Sequence, residues 1–102
     1  MLAEGQAVIQ RLRTAEGHLH AVRQMLEDGK SCQQILHQLS AVRCALEAAG
    51  YQLLSMEVER CLQEIRENPS PGQCEAELQR LLNLYPFISQ FKGKSTETSE
   101  ET

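Results

Sequence analysis

The sequence contains no tryptophan, and aromatic residues make up only 4% of its 102 residues. Its three prolines all lie at or after residue 69, so none interrupts helix formation in the first two thirds of the chain. No stretch approaches the roughly 20 apolar residues that a membrane-spanning helix needs, and the first residues lack the features of a secretory signal. We therefore expect a cytoplasmic protein with no membrane partner.

No set of acid, base and nucleophile that could form a catalytic pocket is visible, so the sequence does not indicate an enzyme. The formal charge of −4 argues against nonspecific binding of nucleic acid over the whole surface. This charge is unevenly placed. Residues 1–50 carry five basic and five acidic side chains and all three histidines, whereas residues 51–102 carry five basic and nine acidic ones. Any anion-binding surface therefore belongs to the first half of the chain.

Four cysteines are present without any C-x-x-C pair, so the common zinc-binding templates are absent. In a cytosolic chain of this length, cysteines are more often reactive or metal-binding than part of a disulfide scaffold. Cys44 is most simply explained by helix packing, and Cys74 by an unpartnered thiol near a turn. Cys32 and Cys61 are the candidates for chemistry.

Apolar residues recur at helical spacing in three stretches, which predicts helices over about 2–27, 31–67 and 71–91. Pro86 is expected to kink the third helix or to end its regular part early. The sequence thus predicts an all-α fold, with a single three-helix domain over residues 1–92. Residues 93–102 are polar, acidic and aperiodic, and we expect them to form a disordered tail.

Turn and cap signals separate these helices. Asp28-Gly29-Lys30 is typical of a helix end, with the glycine just beyond the last turn. The segment Pro-Ser-Pro-Gly-Gln at residues 69–73 breaks the chain, and it offers Ser70 as a cap and Pro71 as the first residue of the third helix. Ser31 followed by Gln34 fits a capping box at the start of the central helix.

The central helix places Cys32 and Cys61 on one face, because 29 residues at about 100° each end about 20° beyond eight whole turns. The two residues are then about 43 Å apart along the axis, far beyond the roughly 7 Å between Cα atoms that a disulfide allows. An antiparallel pair of central helices would bring Cys32 of one subunit to Cys61 of the other. The midpoint of the helix is rich in small residues that allow close approach: Ala45, Ala48, Ala49 and Gly50.

The segment RLRTAEGHLHAVRQMLEDGKSCQQILHQLSAVRCAL resembles the copper-sensitive-operon-repressor family, all-helical bacterial repressors that sense metal ions, formaldehyde or reactive sulfur. The resemblance covers residues 9 to about 66, and its most specific parts include Glu16-Gly17-His18 and the spacing of Cys32 and Cys61. It implies a three-helix subunit, an antiparallel long-helix dimer, and a disc-shaped tetramer built as a dimer of dimers.

Comparison with the subgroups of this family singles out one of them. Where the copper sensors carry a metal-binding histidine, this chain has Glu57, and where they carry a tyrosine it has Ser31. A carboxylate is a hard donor, so Cys32, Glu57 and Cys61 would make a poor copper site. The histidines of the nickel and cobalt sensors and of the formaldehyde sensors are missing as well. Two cysteines alone match the family's persulfide sensors, the subgroup that we favour.

The resemblance therefore predicts a repressor whose sensor thiols are Cys32 and Cys61 and whose effector is a reactive sulfur species, with no cofactor. Cys32, in the first turn of its helix and near Lys30, is the better nucleophile, because both features favour the thiolate. Cys61 would attack the persulfide formed on Cys32 of the dimer partner and cross-link the two subunits. One alternative is a metal-responsive repressor of the same family that holds a transition metal ion at Cys32 and Cys61, with Glu57 as a further ligand.

Double-stranded operator DNA is the other predicted partner, beside a second copy of the chain. Arg11, Arg13 and Arg43 are the candidate DNA-binding residues, because guanidinium groups contact phosphates and these lie in the less acidic half. Arg11 matches a family DNA-binding position, whereas nothing in the sequence predicts a base-specific reader such as a helix-turn-helix. A second alternative is therefore a redox-active helical interaction protein without DNA binding.

Overall fold

A computed structural model describes the backbone of residues 2–91 and the side chains from residue 5 onward. It contains three helices, α1 (Leu2–Glu27), α2 (Cys32–Glu67) and α3 (Pro71–Ile88). No strand occurs within residues 2–91, so the predicted all-α fold is confirmed. None of the helices in this range is long and apolar enough to cross a membrane. The predicted acidic tail lies outside the described residues.

The connections follow the predicted cap and turn signals. After α1, Gly29 adopts a left-handed conformation with φ of 71°, and the Lys30 amide donates to the Met25 carbonyl over 3.0 Å, which satisfies a free carbonyl of the last turn. At α2, the Gln34 amide donates to Ser31 Oγ (3.2 Å) and the Ser31 amide to Gln34 Oε1 (3.3 Å), which confirms the capping box.

The start of α3 also agrees with its signals, because Ser70 Oγ accepts from the Gln73 amide over 3.2 Å and proline occupies the first turn. Its end differs from the predicted range. The helix stops at Ile88, three residues before the predicted end and two residues after Pro86. Beyond it, the amides of Gln90 and Phe91 both donate to the Phe87 carbonyl, so the backbone closes one further turn without continuing the helix.

The chain divides into two compact units, Met1–Ala49 and Gly50–Thr102, with the boundary inside α2. The prediction of a single domain over residues 1–92 stays a prediction. In the first unit, the buried residues are small and follow one another at intervals of seven: Val8, Ala15 and Val22 on α1, and Val42 and Ala49 on α2. An interval of seven residues keeps side chains on one narrow line of a helix, so each helix buries only a narrow strip.

Large apolar side chains beside this strip are exposed in the single chain. On α1, Leu12, Leu19 and Leu26 are 41%, 53% and 61% exposed, although all three lie on the apolar stripe that the sequence gives this helix. Leu36 and Leu46 on α2 are also exposed. These side chains form an apolar surface that one copy of the chain does not cover.

The second unit explains Gly50 through contact with an aromatic ring. A Cβ atom built at Gly50 would overlap the ring of Phe91, so only glycine leaves room for this ring against α2. Around it, Leu53, Leu54 and Phe87 help to line an open cavity of about 340 Å³. The small residue at position 50 thus has a function within one chain, in addition to the close helix pairing predicted from the sequence.

This contact predicts a reversal of sign in a double-mutant experiment. Gly50→Ala is expected to destabilise the protein, because the new methyl group displaces the Phe91 ring. In a Phe91→Ala background, the same change is expected to stabilise it by up to about 1 kcal/mol, the intrinsic helix preference of alanine over glycine. Urea unfolding of the four proteins measures both effects. Stabilisation by Gly50→Ala with Phe91 present would contradict the proposed contact.

Candidate functional site

Cys61 lies at the centre of a charged cluster in the second unit. Its side chain is completely buried, with an exposed fraction of 0%. On α2, Glu57 precedes Cys61 by one helical turn, and Arg60 is the residue directly before it. Glu77 on α3 is almost as deeply buried, at 1% exposed. The other cysteine that the sequence singles out, Cys32, is exposed and belongs to the first unit.

Arg60 joins the members of this cluster through its guanidinium group. Its Nε atom donates to Glu57 Oε1 over 3.1 Å, and its Nη2 atom to Glu57 Oε2 over 3.0 Å, so the pair is bidentate. The same Nη2 atom lies 3.1 Å from Glu77 Oε1 and 3.4 Å from the sulfur of Cys61. Arg60 therefore ties the Cys61 thiol and a carboxylate of α2 to a carboxylate of α3.

Three side chains donate hydrogen bonds to the carboxylate of Glu77. Besides the bond from Arg60 to Oε1, its Oε2 atom accepts from Arg80 Nη1 and from Gln73 Nε2, each over 3.1 Å. A buried carboxylate is costly unless it is paired and hydrogen-bonded, and these donors meet both conditions. Glu77 and Glu57 carry two negative charges and Arg60 and Arg80 two positive ones. The cluster is therefore neutral when Cys61 is a protonated thiol.

The protonation of these groups reflects their surroundings. Burial raises the pKa of the Cys61 thiol, Glu77 raises it further, and the charge of Arg60 acts in the opposite direction. The hydrogen bond from Arg60 lowers the pKa of Glu57. The pKa of Glu77 is lowered by donation from the Cys61 thiol and then by the charges of Arg80 and Arg60, against the effect of burial. The thiol also lies 3.9 Å from Glu57 Oε2, within reach of a weak hydrogen bond to that carboxylate.

Cys32 has a different environment. It is the first residue of α2, directly after the Ser31 cap, and its side chain is exposed. Cys44 is also exposed, Cys74 is half-buried, and all four cysteines are free thiols within the chain. Within residues 2–91, one chain brings together no group of three or more histidine, cysteine or acidic side chains that could hold a metal ion. The pairing of Cys32 with Cys61 of another subunit stays a prediction.

The arginines predicted to contact DNA all lie in the first unit. Arg11 and Arg13 are exposed on α1, and Arg43 is exposed on α2. Farther along α1, Arg23 Nη2 lies 3.2 Å from His20 Nδ1. Arg11, Arg13 and Arg43 are exposed, and their assignment to DNA stays a prediction.

Neither Glu77 nor Arg80 was predicted from the sequence to belong to a functional site. A signal for Glu77 was present, because Cys74, Leu81 and Leu84 lie three, four and seven residues from it on the less exposed side of α3. A carboxylate in such a stripe must have a cationic partner. The sequence offers several arginines, and only the packing of α3 against the second part of α2 selects Arg60 and Arg80.

The sequence and the fold both match known proteins, and these matches identify the family of the chain. The chain matches the family model for a metal-sensitive transcriptional repressor over residues 4–85. It is 32% identical over 88 residues to the copper-sensing transcriptional repressor CsoR of Mycobacterium ulcerans, which covers 86% of this chain and 73% of that protein. It is 27% identical over 82 residues to the copper-sensing transcriptional repressor CsoR of Bacillus subtilis, which covers 80% and 78% respectively.

A solved structure agrees with these sequence matches. The nickel-responsive transcriptional regulator InrS is similar to this chain with a TM-score of 0.64 and 29% identity, over 76% of this chain and 88% of the other. The match to the family model includes both Cys32 and Cys61 and extends through α1, α2 and most of α3. The chain belongs to the family of metal-sensitive transcriptional repressors.

Proposed function

We propose that this protein is an operator-binding repressor, assembled from several copies, whose affinity for DNA falls when a soft effector joins Cys32 of one subunit to Cys61 of another. One observation carries the proposal: the family match includes both cysteines, and α2 carries one as its first residue and the other, buried among charges, near its end. The effector would bias an equilibrium between two forms of the assembly, only one of which binds DNA well.

A transition metal ion is the effector that the relatives favour, since they are named as copper-sensing or nickel-responsive proteins. Thiolates are soft ligands and suit copper(I), so the pair of cysteines fits such an ion. Cys32 of one subunit and Cys61 of another would hold it, and the bound ion would supply the Lewis acid that their thiolates need to favour one form of the assembly. Glu57 already uses both oxygens with Arg60, so its carboxylate reaches a metal only if these bonds break.

Self-association follows from the uncovered apolar surface. Leu19 and Leu26 of α1 and Leu36 of α2 are each more than half exposed in the single chain. Fully burying one such side chain contributes on the order of 2 kcal/mol, so a second copy that covers this surface would be strongly favoured. Association also supplies the second cysteine that one chain lacks at each site.

DNA binding would use the arginines of the first unit. Arg13→Ala and Arg43→Ala are each expected to weaken binding to every DNA sequence and to flatten the salt dependence by about one unit for each phosphate that the protein no longer neutralises. Fluorescence anisotropy at several salt concentrations, with DNA from upstream of the protein's own coding region, measures both effects. Arg66→Ala is the matched control, because Arg66 is an exposed α2 arginine in the acidic half. An unchanged salt slope in both variants would count against this DNA surface.

A second candidate effector is sulfane sulfur, and one observation favours it: with Glu57 bonded to Arg60, two thiols are the groups left for chemistry. The thiolate of Cys32 would take a sulfur atom from a polysulfide, and the thiolate of Cys61 of the partner would then attack the Cys32 sulfur and release hydrosulfide. In total, two thiols and one sulfane sulfur give a disulfide and hydrogen sulfide, so the thiols are oxidised and the sulfane sulfur is reduced.

Parallel titrations of the protein–DNA complex separate the two effectors. Copper(I) is expected to lower operator affinity by roughly 5- to 150-fold, the usual range of allosteric coupling, without a covalent change in intact-protein mass. Polysulfide acting as the effector would instead give covalent dimers that a reductant reverses. Release by polysulfide alone would favour the second candidate. Release by neither reagent would overturn the proposal.

A further inference from the structure

We propose that Arg60 is the residue that sets the metal specificity of the Cys61 site, because it holds Glu57 in a bidentate ion pair and so keeps an oxygen ligand out of the coordination sphere. The inference rests on the proposed function only in taking Cys61 as an effector ligand. Its readout is metal affinity, which does not depend on DNA binding.

The positions of Cys61 and Glu57 match two ligands of one ion. The Cys61 sulfur lies 3.9 Å from Glu57 Oε2, one helical turn away. A tetrahedral zinc ion with ordinary bonds of about 2.3 Å to sulfur and about 2.1 Å to oxygen would need about 3.6 Å between these two atoms. A small side-chain movement closes this difference. Judged by distance alone, Cys61 and Glu57 could supply two of the four ligands of a tetrahedral zinc or cobalt(II) site.

Arg60 occupies the place of such an ion. Its Nη2 atom lies 3.0 Å from Glu57 Oε2 and 3.4 Å from the Cys61 sulfur, so one guanidinium nitrogen bonds to both ligand atoms. Its Nε atom takes the other oxygen of Glu57. A cation that bound between Cys61 and Glu57 would have to displace this donor.

The other carboxylate of the cluster cannot substitute for Glu57. Glu77 is 1% exposed, and its two oxygens accept from Arg60, Arg80 and Gln73. The oxygens of both carboxylates in the cluster thus already accept hydrogen bonds. The positive charge of Arg60 beside the sulfur also repels divalent cations more strongly than monovalent ones. Both effects favour an effector that needs thiols alone, either a soft monovalent ion or a donor of sulfane sulfur.

Arg60→Gln tests the proposal in the full-length reduced protein. Glutamine cannot pair bidentately with Glu57 and carries no charge, so cobalt(II), a spectroscopic probe for zinc sites, is expected to bind about 10- to 100-fold more tightly, the range by which groups that hold metal ligands alter affinity. Absorption from thiolate bonded to cobalt should accompany this gain. Arg66→Gln is the matched control, because Arg66 donates to the exposed Gln63 side chain over 3.0 Å in the same helix, so its replacement should leave affinity unchanged.

Two further variants show whether Glu57 is the ligand gained. The double variant Arg60→Gln with Glu57→Gln should lose the gain, and Glu57→Gln alone should change cobalt affinity by less than about twofold while Arg60 is present. Circular dichroism checks folding. If Arg60→Gln does not fold, Arg60→Lys takes its place, with a smaller gain expected, since lysine keeps the charge but not the bidentate geometry.

Three results would overturn the proposal. The first is no gain in cobalt affinity in the folded Arg60 variant. The second is a gain that persists when Glu57 is also replaced. The third is a loss of metal affinity of about tenfold or more in Glu57→Gln alone, which would make Glu57 a ligand despite its ion pair with Arg60.

Discussion

Cys32→Ala is expected to bind operator DNA as the unaltered protein does and to retain it when the effector is added. Copper(I) or polysulfide, whichever releases the unaltered protein, should change the affinity of the variant by less than about twofold, against roughly 5- to 150-fold for the unaltered protein. The reason is the placement of the thiol. Cys32 is exposed at the first residue of α2, so its removal leaves the folded chain intact and removes one end of the proposed bridge.

Cys44→Ala is the matched control, because Cys44 is an exposed cysteine of the same helix that the proposed bridge does not use. Fluorescence anisotropy with and without the effector gives both affinities for each protein. If Cys32→Ala releases DNA as readily as the unaltered protein, the sensor is another group. Loss of release in Cys44→Ala alone would place the sensor at Cys44.

Glu77→Gln is expected to lower the melting temperature at neutral pH by on the order of 5–10 °C. The substitution keeps the shape of a side chain that is 1% exposed but removes the charge that pairs with Arg60 and Arg80. Glutamine would weaken the charge-assisted hydrogen bonds from Arg60 and Arg80, and its buried amide group would face the guanidinium and amide donors that now bond to the carboxylate. Glu75→Gln, at an exposed position of the same helix, should have almost no effect.

The pH dependence of this difference has a defined sign. The pKa of Glu77 in the folded protein lies below its ordinary value of 4.5. Its ionised form therefore contributes stability that is fully present above pH 4.5 and is lost as the pH falls through the lowered pKa. The difference in melting temperature between Glu77→Gln and the unaltered protein should shrink from about pH 6 to about pH 3. A difference that stays constant over this range would show that the charge of Glu77 is not what stabilises the cluster.

The local elements of the fold could be predicted from the sequence, because they depend on neighbouring residues. Ser31 with Gln34 marks the start of α2 and Ser70 the start of α3 through side-chain hydrogen bonds to nearby backbone amides, and Gly29 marks the end of α1, where the backbone closes on itself. At the end of α3, Pro86 indicates a kink or an early end but does not fix the last residue. The end of α3 fell three residues earlier than its apolar pattern indicated.

Burial along each helix was predicted less well. An apolar pattern shows which face of α1 avoids water, but not which neighbour covers that face. Val8, Ala15 and Val22 are buried within the chain, whereas Leu19 and Leu26 on the same apolar stripe are exposed. The apolar pattern therefore includes both buried residues and exposed ones, and only the tertiary structure shows which are which.

The site shows the same division between sequence and structure. The sequence by itself determined that Cys32 and Cys61 share one helix, that their separation excludes a bond within that helix, and that Glu57 stands one turn before Cys61. The tertiary structure alone decided what surrounds the second thiol. It buries Cys61, brings Glu77 to it from α3, and directs Arg60 to both carboxylates. Contacts between residues 17 positions apart depend on how two helices pack, and helical periodicity within either one does not specify that packing.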